Sequence, residues 1–162
     1  MGAKGNVEKA TFACGCFWSK EYFLQQQSGV LTTRVGYTGG HVSNPSYRQV
    51  CTKTTGHAEA IEVTFDAQQT SFRTLATFFF NMHDPTIDRR SKGGQYRSAI
   101  FVHNPKQEEI AKELLVQLRA KGYDAVTEIE PAQAFWPAED RHQQYCTVRG
   151  FSPEIPFQRR LG

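Results

Sequence analysis

Cys16 stands at a junction that can make a thiol reactive. An apolar, β-prone run over 9–13 closes at Gly15, and after Cys16 no Gly or Pro occurs until Gly29. The thiol therefore falls where a strand gives way to the first turn of a helix. Unpaired N–H groups at a helix start favour an anion, which predicts a thiolate formed more readily than in an ordinary cysteine. Phe17 and Trp18 follow at once. Two large aromatics beside a sulfur are either core packing or the apolar wall of a pocket. The order strand, glycine, cysteine, helix favours the wall.

Glu59 is the second residue whose placement suggests chemistry. The stretch 57–65 alternates as a strand, with Ile61, Val63 and Phe65 on one face and Glu62 and Thr64 on the other. Glu59 is in phase with the apolar set. A carboxyl held among apolar groups has its charged form disfavoured, stays protonated near neutral pH and can serve as a general acid. The competing reading is a strand-edge glutamate turned to water, and phase alone leaves both open.

The remaining cysteines are Cys14, Cys51 and Cys146. Zinc sites favour C-x2-C or H-x3–5-H pairs, and neither spacing occurs, so no metal is expected. The 162 residues carry 19 Lys and Arg against 16 Asp and Glu, a net charge of +3 without long blocks of either sign. Nucleic acid is thereby demoted as a partner. With 39% hydrophobic and 22% charged residues the composition is that of a globular protein. The longest apolar runs, such as 99–102, fall far short of the roughly 20 residues of a membrane span. The first eight residues are polar and glycine-rich, unlike a signal sequence. These features predict a cytoplasmic protein with thiols kept reduced.

The elements that must position these groups can be read in outline. A helix follows Cys16 and ends by Gly29, a second strand covers 32–37, and the polar stretch 41–55, with Asn44-Pro45, reads as irregular. A helix spans 71–83, with Phe72, Leu75, Ala76 and Phe79 on one face and Pro85 beyond its end. A basic loop over 89–94 leads to a strand over 96–103, apolar on both faces and hence interior. Asn104 caps the next helix, Pro105 takes its first position, Ile110, Leu114 and Leu118 form its buried stripe, and Gly122 ends it. A further strand is expected over 126–129, then one or two helical turns within 139–145 and an irregular C-terminal tail. The fold class is α/β (α+β): a single domain over 1–162 with a mixed β-sheet flanked by helices.

Several blocks then converge. Gly15-Cys16-Phe17-Trp18, Val35-Gly36-Tyr37 with Gly39-Gly40, and Asn44-Pro45-Ser46-Tyr47 come first. Gly56-His57-Ala58-Glu59, His83-Asp84-Pro85-Thr86, Gln95-Tyr96-Arg97-Ser98 and His142-Gln143-Gln144-Tyr145 follow in the same order. Together they resemble the A-type peptide methionine sulfoxide reductase family over nearly the whole chain.

The resemblance implies a ferredoxin-like core and no cofactor. It makes Cys16 the nucleophile toward the sulfoxide sulfur and Phe17 and Trp18 the pocket for the substrate methyl group. Tyr47, Tyr96 and Glu59 contact the sulfoxide oxygen, and Glu59 supplies its proton. The product is methionine plus a sulfenic acid on Cys16, which a second thiol converts to a disulfide. The implied substrates are the S-sulfoxides of free and protein-bound methionine. The implied reductant is thioredoxin or a similar dithiol, the implied state a monomer.

The sequence departs from the family pattern in three places. Ser19 stands where the family has Gly. Ser91-Lys92-Gly93-Gly94 replaces a longer run containing an Asp, with Asp88 the nearest carboxylate. The tail over 147–162 has no cysteine. Among the remaining thiols Cys146 is the expected resolving partner, because it follows the His-Gln-Gln-Tyr block. Cys14 would close a cramped C-x-C ring, and Cys51 reads as a small buried thiol. Two other functions compete: a different Cys-based redox enzyme such as a peroxidase, and a non-catalytic module that binds oxidised methionine. The pocket aromatics argue against the first, the pairing of Cys16 with Glu59 against the second.

Overall fold

A computed structural model describes residues 6–88 and 94–162. Strand β1 (Val7–Cys14) leads through helix α1 (Phe17–Gln25) to β2 (Val30–Thr38), and a short helix α2 (Tyr47–Cys51) precedes β3 (Ala58–Asp66). Helix α3 (Phe72–Asn81), β4 (Ser98–Val102), helix α4 (Pro105–Ala120) and β5 (Glu128–Pro131) follow. The two-residue strand β6 (Trp136–Pro137), a 3-10 turn (Asp140–His142) and helix α5 (Tyr145–Arg149) complete the elements.

The six strands lie in the order β5-β4-β1-β3-β2-β6. All neighbours are antiparallel except β4 and β5, which are parallel. The inner order β4-β1-β3-β2, with α1 joining β1 to β2 and α3 joining β3 to β4, is the ferredoxin-like arrangement. The mixed sheet agrees with the expectation from sequence.

The two faces of the sheet differ. Phe12, Val35, Tyr37, Ile61, Val63 and Phe65 belong to the main core with the buried faces of α1, α3 and α4. On the other face Ala13, Ala58, Ala60, Ala99 and Phe101 form a thinner cluster, covered by Ala132 and Phe135. Small side chains there let the chain after β5 lie close against the sheet. At Gly36 an added Cβ would stand 2.4 Å from the Trp136 carbonyl oxygen, so the pairing of β2 with β6 needs a glycine at that point.

Helix boundaries follow local chemistry. Asn104 Oδ1 accepts the Gln107 N–H at 2.9 Å and Pro105 opens α4, as the sequence indicates. The stretch 41–55 is not wholly irregular: Ser46 and Gln49 close a capping box and start α2. β5 begins two residues later than expected, since its pairing starts with Ala99 opposite Glu128. β6 was not expected, and the final helix starts at Tyr145 rather than ending there. The loop expected over 89–94 lies outside the described residues except at Gly94. Residues 151–162 have no regular structure, as expected, yet their end is fastened: Asn81 Oδ1 accepts the backbone N–H groups of Arg160 and Leu161 at 2.7 and 3.0 Å. No helix among the described residues is long and apolar enough to cross a membrane.

Candidate active site

β1 ends at Cys14, and Gly15, at φ +114°, turns the chain so that Cys16 becomes the N-cap residue of α1. A positive φ of this size suits glycine and strains other residues. The Cys16 sulfur is only partly exposed. Burial raises its pKa, and the Glu59 charge adds to the rise. The backbone N–H groups of Trp18 and Ser19 favour the thiolate and pull the other way without reversing it. The sequence expectation of a lowered pKa is therefore corrected: helix-start donors are present, but desolvation and a nearby carboxylate outweigh them.

Glu59 reaches this turn from β3 and is 1% exposed. Its Oε1 accepts the Phe17 backbone N–H at 3.2 Å and its Oε2 accepts the Gln95 side-chain amide at 2.7 Å. Burial raises its pKa to about 7, despite those two bonds to the charged form. The carboxyl can thus hold a proton close to the Cys16 sulfur at neutral pH.

Two tyrosines approach the same place. Tyr47, from the first turn of α2, packs against Phe17 at 6.4 Å between ring centroids and against His142 at 4.4 Å. Tyr96 precedes β4; burial, then the charges of Glu59 and Cys16, push its hydroxyl up to about 12. Both hydroxyls stay protonated and able to donate. Tyr47 is held by Glu139, which accepts its backbone N–H at 2.9 Å and the hydroxyl of the fully buried Tyr37 at 2.9 Å.

The aromatic wall is a stack. One face of Trp18 stacks on Tyr145, 3.8 Å away and nearly parallel, and His142 lies at its edge, 5.7 Å between ring centroids. The indole N–H donates to His142 Nδ1 at 3.0 Å, which requires a neutral ring. Burial lowers the His142 pKa and keeps it so. Arg149 covers the outer face of Tyr145 at 3.8 Å. Beside this stack runs an open groove of about 600 Å³ that both Cys16 and Cys146 line. An apolar wall, a thiol, a carboxyl able to hold a proton and two phenols together suit a polar oxygen bound to a methyl-bearing sulfur.

The sequence model of a family described as peptide methionine sulfoxide reductase matches residues 8–154. The chain belongs to the peptide methionine sulfoxide reductase family. The peptide methionine sulfoxide reductase MsrA of Methanosarcina acetivorans is 47% identical over 155 residues, covering 92% of this chain and 82% of that one. Among solved structures, reduced Mxr1 from Saccharomyces cerevisiae superposes with a TM-score of 0.83 at 32% identity, covering 94% of this chain and 91% of that one. Mxr1 in complex with Trx2 has a TM-score of 0.64 at 24% identity, covers 95% of this chain and 91% of that one, and shares the fold.

In this member of the family Cys16, Phe17, Trp18, Tyr47, Glu59 and Tyr96 are neighbours in space. Cys146 is buried on α5, where its Sγ donates to the Trp18 carbonyl at 3.4 Å. Cys14 is buried at the end of β1 and lines a small pocket with Lys20, His83 and Tyr96. Cys51 corrects a sequence expectation: it is exposed at the end of α2, not buried, and accepts from the Gln95 amide at 3.5 Å. No disulfide joins any of the four. Asp88 is exposed, and Ser91 lies outside the described residues.

Gln95, Glu139, His142 and Glu21 received no role from the sequence. Gln95 and His142 stand inside the blocks that carry the family resemblance, which were the available signal. Glu139 and Glu21 had none beyond their charge.

Proposed function

We propose that this chain reduces methionine S-sulfoxide, free or within proteins, to methionine. The observation that carries the reading is the Glu59 carboxyl, buried, able to hold a proton near neutral pH and fixed by Phe17 N–H and Gln95 beside the Cys16 sulfur. Sulfoxide oxygen leaves sulfur poorly until it is protonated, so a thiol needs an acid of this kind next to it. Phe17 and Trp18 receive the methyl group while Tyr47 and Tyr96 hold the oxygen. The Cys16 thiolate attacks the sulfoxide sulfur, Glu59 protonates the oxygen, and oxygen passes to Cys16, giving methionine and a sulfenic acid.

Cys146 then resolves the sulfenic acid. Its thiol sulfur bonds to Cys16, the S–O bond breaks, and the oxygen leaves as water with the thiol proton. Cys146 lines the same groove as Cys16 and contacts the Trp18 carbonyl, which supports this pairing over Cys14. A thioredoxin-type dithiol restores the two thiols, a reading supported by the complex of the related Mxr1 with Trx2. The same reading takes the chain as one domain over 1–162, working as a cytoplasmic monomer where such a dithiol is available.

The test offers S- and R-methionine sulfoxide with dithiothreitol and, separately, with thioredoxin. Turnover of the S epimer alone with both reductants is expected. Hydrogen peroxide turnover with no sulfoxide turnover would make the chain a peroxidase instead.

A further inference from the structure

Glu21 is a buried carboxylate that the reaction at Cys16 does not use. It lies on α1, five residues after Cys16, and is 1% exposed. Oε1 accepts the Gln144 backbone N–H at 2.9 Å. Oε2 accepts the Gln144 side-chain amide at 2.7 Å and the Thr33 hydroxyl at 2.9 Å. Gln144 immediately precedes α5 and takes a left-handed conformation, φ +54°. Its carbonyl accepts the Val148 N–H at 2.9 Å, the first hydrogen bond of that helix. Two residues after Gln144 comes Cys146.

Burying a carboxylate opposes folding unless every acceptor site is used. Here the return is a fixed position for a strained residue at the base of a five-residue helix. The geometry also refers both thiols to one rigid element: Cys16 caps α1, and Glu21 on the same helix holds the base of α5. A carboxylate only accepts, and this site presents donors on both of its oxygens. A glutamine there could keep the Gln144 backbone N–H bond only by aiming its NH2 at the Thr33 hydroxyl and the Gln144 side-chain amide, which would both have to reverse their present bonds.

We propose that Glu21 is a positioning residue for the resolving step, clasping Gln144 so that Cys146 is presented to the Cys16 sulfenic acid. This rests on the reading of Cys146 as the resolving thiol. The chemistry is the one already written: S–S forms, S–O breaks and water leaves.

The experiment follows a single turnover of the full chain with methionine S-sulfoxide and no reductant. Methionine is quantified after quenching, sulfenic acid by dimedone labelling and the disulfide by peptide mapping. In Glu21→Gln, methionine should form at the parental rate while disulfide formation slows by about 10–100-fold, the scale of a misplaced reacting group. Dimedone-reactive Cys16 should accumulate. A merely structural role would slow both steps together or neither. Gln144→Gly, which tolerates the positive φ and keeps the backbone N–H, should slow resolution in the same direction, and it decides alone if Glu21→Gln does not fold. Parental resolution in a folded variant, or equal slowing of both steps, overturns the proposal. Cys146→Ser separates the two readings. If it still forms an intramolecular disulfide, the resolving assignment falls and the clasp with it. If it blocks the disulfide while Glu21→Gln resolves normally, only the clasp falls.

Discussion

Gln95 grips Glu59 at two points: its carbonyl accepts the Glu59 backbone N–H at 2.9 Å and its side-chain amide donates to Glu59 Oε2 at 2.7 Å. With Phe17 N–H on the other oxygen, the carboxyl cannot rotate away from Cys16 without losing a bond. Its orientation is set by the turn before β4 and the start of α1, while its phase in β3 sets its depth. Acid strength and aim thus have separate structural origins.

Glu59→Gln should slow methionine formation by about 10²–10⁴-fold, the contribution of a general acid. In the parental chain the single-turnover rate should climb with pH and level off near 7, the pKa of Glu59. Beyond that point each gain in Cys16 thiolate is offset by loss of the acid. The substituted chain should climb through that region without a break. A break retained there would assign it to another group.

Glu59 also makes stability depend on pH. Burial raises its pKa from 4.5 to about 7 in the folded chain. Between those values the folded state binds the proton more tightly than the unfolded one. The stabilisation is full below 4.5 and is lost as pH rises through 7. Urea unfolding of the parental chain and Glu59→Gln should show their difference shifting in favour of the variant from the acid to the alkaline side of that window. A difference that does not change with pH would mean that Glu59 ionises normally.

Cys16→Ser should abolish methionine formation while circular dichroism and the unfolding midpoint stay close to parental, because a hydroxyl is a far weaker nucleophile near neutral pH. Residual turnover in the folded variant would move the nucleophile elsewhere.

Glu139→Ala removes the partner of the Tyr37 hydroxyl and of the Tyr47 N–H. A buried hydroxyl left without a partner costs about 1–3 kcal/mol, which urea denaturation should resolve. Sulfoxide reduction should weaken as well, through the loss of Tyr47 placement. Unchanged stability would show that another group accepts from Tyr37.

Patterns that are local in the chain were legible in the sequence. Asn104-Pro105 marked the start of α4, and the period of two in β3 put Glu59 on the face that proves buried. The Ser46-x-x-Gln49 capping box was equally local, but the polar residues around it hid a helix of five. Strand β5 came out displaced because Val126 and Thr127 are β-prone whereas pairing starts at Glu128. The direction of the Cys16 pKa could not be read from a helix start, since the burial that decides it comes from residues distant in sequence. Glu21 gave no signal at all, because its partner Gln144 is 123 positions away.

The site draws on both ends of the chain, and that has a consequence for how the protein is made. A chain synthesised as far as residue 131 contains β1 to β5, with Cys16, Glu59 and Tyr96 in the parts that pair and pack. It still lacks Glu139, which holds Tyr47, and Tyr145 and His142, which pack on the face and at the edge of Trp18. It lacks Cys146 too. The last fifth of the sequence crosses the edge of β2 and closes the wall around the thiol. Catalytic competence waits on that segment.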